Sequence, residues 1–183
     1  MASTQYKLHE RIVYPIQGVG EIIRIEKKPF KDTELLYYVV YLEVSDMTVW
    51  VPVDKADELG IRAIVSSKES QKALDLIAEE YEPVTADWKQ RYQMNRDLLK
   101  DGSVFDIATV VRTLYHRSKV KELPILERKL FDSSMKLLVD EISISLKKSK
   151  EQVERLVFEK LETEHPDRSE PEEEKEEEPD LEY

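Results

Sequence analysis

The apolar residues of this chain change period near Ser66, and that change constrains the fold more than any other feature. Before it, residues 11–14, 19–25, 35–42 and 47–53 form short runs rich in β-branched and aromatic side chains, the pattern of strands. Turn-forming residues separate the runs at 15–18, 31–34 and 45–46. Four or five strands within about sixty residues are too few for a sandwich and suit a small, strongly bent barrel. Gly18 and Gly20 fit its tight bends. They also echo a phosphate-binding loop, but no Gly-Lys-Ser/Thr follows and no helix opens after them, so the structural role is preferred.

After Ser66 the spacing is helical, and four of the five helices are announced by a residue able to cap them. Ser66-x-x-Glu69 precedes Ala73, Leu74 and Ile77, and Asp87-x-x-Gln90 opens a helix carrying Trp88, Tyr92, Leu98 and Leu99 that Asp101-Gly102 ends. Ser103-x-x-Asp106 precedes Ile107, Ala108, Val110, Val111, Leu114 and Tyr115, an apolar face broad enough to require burial against other helices. Pro124 suits the first turn of a fourth helix, with Leu130, Leu137, Leu138, Ile142 and Leu146. Ser149-x-x-Gln152 starts a fifth, with Val153, Leu156, Val157 and Leu161. The expected fold is therefore α+β: a β domain over residues 1–65, a connecting helix and linker over 66–83, a compact all-α domain over 84–162, and a disordered tail over 163–183 whose Glu and Pro residues leave little to bury.

The net charge of -11 looks hostile to nucleic acid until its location is counted. Residues 163–183 hold 11 acidic and 2 basic side chains, so the preceding 162 residues carry 28 acidic and 26 basic, a net of -2. Between residues 84 and 121 the balance reverses, with 4 acidic against 8 basic residues. Two readings of that excess stay open, a footprint for phosphates or the ordinary solvated surface of helices.

Catalysis finds no candidate. His9, His116 and His165 fall in three separate regions without an i, i+4 partner, which points to neither a zinc site nor a base beside a nucleophile, and each is expected at the surface. With no cysteine, thiolate metal sites and disulfides are excluded, in keeping with a reducing cytoplasm. No run approaches the roughly 20 apolar residues of a membrane-spanning helix, and residues 1–10 lack a signal-peptide layout. No cofactor, metal or membrane is expected, and a cytoplasmic monomer is.

Trp88 stands out because it opens a helix beside Lys89, Arg91 and Arg96, with Tyr92 one turn on. A tryptophan there is commonly a core anchor. Surrounded by cations it has a second use, as an aromatic wedge at a minor groove while the cations neutralise phosphates. Arg112, His116, Arg117, Lys119 and Lys121 offer a second basic edge.

The run Val13-Tyr-Pro-Ile-Gln-Gly-Val-Gly20, followed by Tyr38-Val-Val-Tyr-Leu42, Met47-Thr-Val-Trp-Val-Pro52 and Leu59-Gly-Ile-Arg62, closely resembles the N-terminal module of the CarD/CdnL bacterial transcription regulators. Asp87-Trp-Lys-Gln-Arg-Tyr92, residues 103–115 and Leu123-Pro-x-x-Glu-Arg-Lys129 resemble the helical domain particular to that family. The resemblance spans residues 8–161 in unbroken order, and Tyr-Pro-x-x-Gly alone would carry little. It implies a Tudor-like barrel that docks on the RNA polymerase β subunit, and a helical domain that touches promoter DNA at the upstream edge of the transcription bubble and stabilises the open complex. In that reading Lys28, Thr48, Trp50 and Pro52 meet the polymerase. Trp50 stands where some members have arginine, so an aromatic contact replaces a salt bridge. Trp88 matches the family's wedge, and Lys89, Arg91, Tyr92, Arg96, Arg112, Arg117 and Lys119 complete the DNA-facing set, although Gln90 and Gln93 stand where some relatives carry cations. The competing reading is a polymerase-bound adaptor whose helical domain recruits another protein.

Overall fold

The computed structural model describes residues 4–31, 33–81 and 87–163. The expected tail, from residue 164 on, and with it His165, lies outside the described residues, as does the stretch 82–86 before the second helix. Five strands come first: β1 (Arg11–Tyr14), β2 (Gly18–Phe30), β3 (Thr33–Leu42), β4 (Met47–Pro52) and β5 (Arg62–Ala63). They form one antiparallel sheet in the order β4-β3-β2-β1-β5. Five helices follow: α1 (Ser67–Ile77), α2 (Trp88–Asp101), α3 (Val104–Val120), α4 (Ile125–Leu146) and α5 (Lys150–Leu161). The α+β architecture, β module before helical domain, is as the sequence predicts.

One strand is longer than its composition suggests. Residues 26–30 have little strand propensity, yet Glu26 to Phe30 pair with Tyr37 to Thr33 and extend the β2–β3 hairpin. Pairing within the hairpin outweighs local propensity. Pro29 is tolerated because β1 pairs only with residues 18–21, so its missing N–H costs no ladder bond on that side. A bulge between Ile22 and Arg24 shifts the register and bends the strand.

Alternate residues of the strands share one interior: Ile12, Ile22, Tyr38, Val40, Leu42 and Val51 are buried together with Ala56 and Ile61. Tyr6 closes this core from the N-terminal segment, donating its hydroxyl to the Ile61 carbonyl at 3.0 Å while its backbone N–H donates to the Tyr38 hydroxyl at 3.1 Å. Gly20 is required by space, since a Cβ there would lie 2.6 Å from a Val40 methyl.

The capping residues act as read from the sequence. Ser66 and Glu69, and Ser149 and Gln152, form reciprocal boxes at α1 and α5. Asp87 accepts from the Lys89 and Gln90 amides, Ser103 accepts from the Asp106 amide, and Gly102 ends α2 in the left-handed conformation at φ 71°. Pro124 sits just outside α4, as its cap, rather than in its first turn. α1, expected as a connector, buries Ala73, Leu74 and Ile77 in the same core as Leu114, Leu138, Ile142, Val153 and Val157. It belongs physically to the helical domain.

The two halves are packed against each other. Val13 and Val19, on the outer face of the sheet, are buried and share a small cavity wall with Ile107 and Leu137. Pro15 lies between Gly60 and Gly102: a Cβ on the first would come within 2.9 Å of its ring and on the second within 3.2 Å. Gly18, besides turning the chain at φ 89°, leaves room for Leu137, whose methyl would be 3.1 Å from a Cβ.

Candidate functional site

On the sheet, β4 is an edge strand, and the period of two places Thr48, Trp50 and Pro52 on one face while Val49 and Val51 turn inward. Thr48 is exposed, Pro52 half-buried, and Trp50 is 44% exposed, too open for a core residue. Its indole N–H donates to a Glu26 carboxylate oxygen at 3.1 Å. The Lys28 ammonium lies 3.9 Å from the centre of a Trp50 ring and 3.4 Å from the same Glu26 oxygen. The indole bond, with help from Arg24 and Lys28, holds the Glu26 carboxyl below the usual carboxylate range. Two of the four residues expected on the polymerase face, Lys28 and Trp50, are thus brought together, joined by a glutamate that sequence reasoning did not select. Spacing could have found it: Glu26 and Lys28 alternate on β2 and share a face, opposite the partner strand of β4.

On the helical side, Trp88 is the first residue of α2 and half-buried, held at the end of the helix by the Asp87 cap. Lys89 is exposed with its ammonium 5.8 Å from the Trp88 ring, and the Arg96 guanidinium lies 5.7 Å from the ring of half-buried Tyr92. Positions 88, 92 and 96 follow one another at helical i, i+4 spacing, so aromatic and cationic groups form one stripe.

Arg91 is not part of that surface, contrary to expectation. It is 2% exposed, and its Nε and Nη2 donate to the two carboxylate oxygens of fully buried Glu127 at 2.8 and 2.9 Å. The reason is its phase: Arg91, Asn95 and Leu99 recur every four residues on the buried side of α2. Arg112 is also drawn inward, its side chain 17% exposed, donating from Nη1 to the Leu76 carbonyl at 2.9 Å and facing Glu79 at 3.8 Å. It ties α3 to the end of α1. Arg117 is half-buried and has an intramolecular partner. Lys119 is exposed over the Tyr115 ring at 4.8 Å. His116, expected at the surface, is buried and stacked on Tyr81 at 5.1 Å.

These elements meet at one end of the domain. Glu127 in the first turn of α4 grips Arg91 in the first turn of α2, and only four residues separate α4 from the end of α3. The same end exposes Val120 (64%), Ile125 (68%) and Leu126 (45%), apolar residues that in sequence alone read as ordinary helix flanks. Among the described residues no group of three or more His, Asp or Glu is placed to hold a metal ion, and no helix is long and apolar enough to cross a membrane.

Residues 6–65 match the family described as CarD-like/TRCF RID domain, and residues 72–158 match CarD, C-terminal domain. A protein of Bacillus subtilis (strain 168) named "Putative transcription factor YdeB" is 32% identical over 139 residues, which cover 76% of this chain and 91% of that protein. The chain belongs to the CarD family. The order of the two matches is that of the two halves of the structure, and the boundary between them falls in the segment from β5 into α1. Both aromatic and cation clusters of this CarD-family chain lie within the matched regions.

Proposed function

We propose that this CarD-family transcription factor binds the RNA polymerase β subunit through the β4 edge with Glu26, Lys28 and Trp50, and holds promoter DNA open from the α2 end of its helical domain. The observation that carries this reading is the stripe of half-buried Trp88 and Tyr92 with exposed Arg96, flanked by exposed Lys89, which offers a partly open aromatic group beside charges suited to phosphates. An edge strand with a central aromatic anchor is a common mode of partner recognition. Each contact can be weak, because binding at one raises the effective concentration at the other.

The test is the lifetime of the open complex. Trp88→Ala should shorten it while polymerase binding persists, and Trp50→Ala should weaken polymerase binding while the protein stays folded. Open complexes as durable with Trp88→Ala as with the parent would remove the wedge from the account.

The adaptor reading gains from two observations: Arg91 and Arg112 are held internally, and Val120, Ile125 and Leu126 are exposed at the same end. Salt separates the two readings. If Lys89, Arg96 and Lys119 neutralise three phosphates, the logarithm of the DNA affinity falls against log salt with a slope of roughly -3. A protein partner on the apolar residues gives a nearly flat dependence.

A further inference from the structure

The barrel and the helical domain are joined by one arginine with a full set of partners. Arg62, on β5, donates from Nε and Nη2 to the Gly102 carbonyl at 3.0 and 2.7 Å, and from Nη2 to the Glu141 carboxylate at 2.8 Å. Nη1 bonds the other oxygen of Glu141 and the Ala63 carbonyl. Glu141 is 1% exposed and also accepts from the Val65 amide at 3.2 Å, at the entry to α1. One guanidinium therefore holds β5, the C-terminal cap of α2 and the C-terminal third of α4, while its carboxylate partner holds the connection between domains.

The placement along α2 and α4 gives the contact a directional consequence. Gly102 is the C-cap of α2, and Trp88 is the first residue at its other end, about 20 Å away along a 14-residue helix. Glu127 and Glu141 lie 14 residues apart on α4, nearly four turns, so both face the same side. The first grips Arg91 near the Trp88 end of α2, and the second grips Arg62 at the Gly102 end. α2 is pinned to α4 at its start and to the barrel at its finish.

The geometry points to Arg62 and Glu141 as positioning residues that set where the Trp88 stripe stands relative to the β4 edge, so that both can engage one polymerase–promoter complex. This rests on the two-contact function proposed above. A guanidinium fork fixes direction as well as distance, which a single ammonium does not. Freeing the joint leaves both surfaces intact and lowers only the effective concentration of one for its target once the other is bound.

The test removes the fork without stranding a buried charge, since deleting Arg62 alone leaves Glu141 buried and unpaired. In Arg62→Met/Glu141→Gln the methionine keeps the stem, and the amide oxygen still accepts from the Val65 amide. The chain has no cysteine, so spin labels at Asp54→Cys and Met94→Cys, both exposed, report one inter-domain distance. The expected result is a broadened distance distribution, circular dichroism and β-subunit binding like the parent's, and open complexes at least about fivefold shorter-lived when measured without labels. An unchanged distribution overturns the clamp. A broadened one with undiminished lifetimes, in a system where Trp88→Ala does shorten them, overturns the positioning role. If Trp88→Ala has no effect there, the DNA-contact reading fails and the positioning role falls with it, while the label distances still decide whether the clamp exists.

Discussion

Arg91 and Trp88, three residues apart, illustrate how differently two neighbours in sequence can be used. Arg91 sets its Nε and Nη2 on the two oxygens of Glu127, and both side chains are buried. Arg91→Ala would leave a buried carboxylate without its cation, at a cost of about 3–5 kcal/mol, whereas Trp88→Ala at a half-exposed helix start should cost about 1 kcal/mol or less. Thermal or urea unfolding of the two variants measures both. A mild Arg91→Ala would mean that Glu127 finds another partner. The sequence made Trp88 legible, since an aromatic among cations at a helix start is visible in one dimension. It did not separate Arg91 from Lys89, because residue type is identical in kind and only the phase relative to Asn95 and Leu99 tells inside from outside. Glu26 was missed for the converse reason: an acidic residue in a basic ribbon reads as solvation until Trp50 is placed across the sheet from it.

The ends of the helices are where local chemistry was most informative, because a cap is a contact between residues two or three apart and needs no tertiary partner. Ser66, Asp87, Ser103, Gly102 and Ser149 all act at the boundaries they mark. The extension of β2 through residues 26–30 was illegible, since it depends on β3 rather than on its own side chains. One cap is also a titratable device. The Ser66 hydroxyl and backbone amide bond Glu69 and hold its pKa below the ordinary 4.5. A carboxylate with a depressed pKa contributes stability above its unfolded value, and that contribution is lost as pH falls through the lower folded value. Amide exchange in the first turn of α1 should therefore accelerate on acidification below about pH 4.5. In Glu69→Gln the box persists, as Gln152 shows at α5, and this contribution to the acid sensitivity should disappear. Equal acid sensitivity with and without Glu69 would assign the effect to another carboxylate.

At the scale of the molecule the charge is divided, with -9 on residues 163–183 and -2 on the rest. Deleting 163–183 should lower solubility and leave polymerase-dependent promoter binding as it was. A gain in binding at low salt that vanishes as salt rises would instead show that the acidic segment competes with DNA. The two halves, for their part, are less separable than a barrel followed by a bundle suggests. Pro15 occupies the gap between Gly60 and Gly102; a side chain at Gly60 would collide with its ring, and one at Gly102 would crowd it and be strained at φ 71°. Such an arrangement limits what recombination between relatives can achieve. A barrel inherited from one lineage and a helical domain from another would form a working chimera only if the first brings a proline and a glycine and the second a matching glycine. These three positions should therefore travel together through the descent of the family, even though they lie on both sides of the boundary at which a breeder of hybrid proteins would cut.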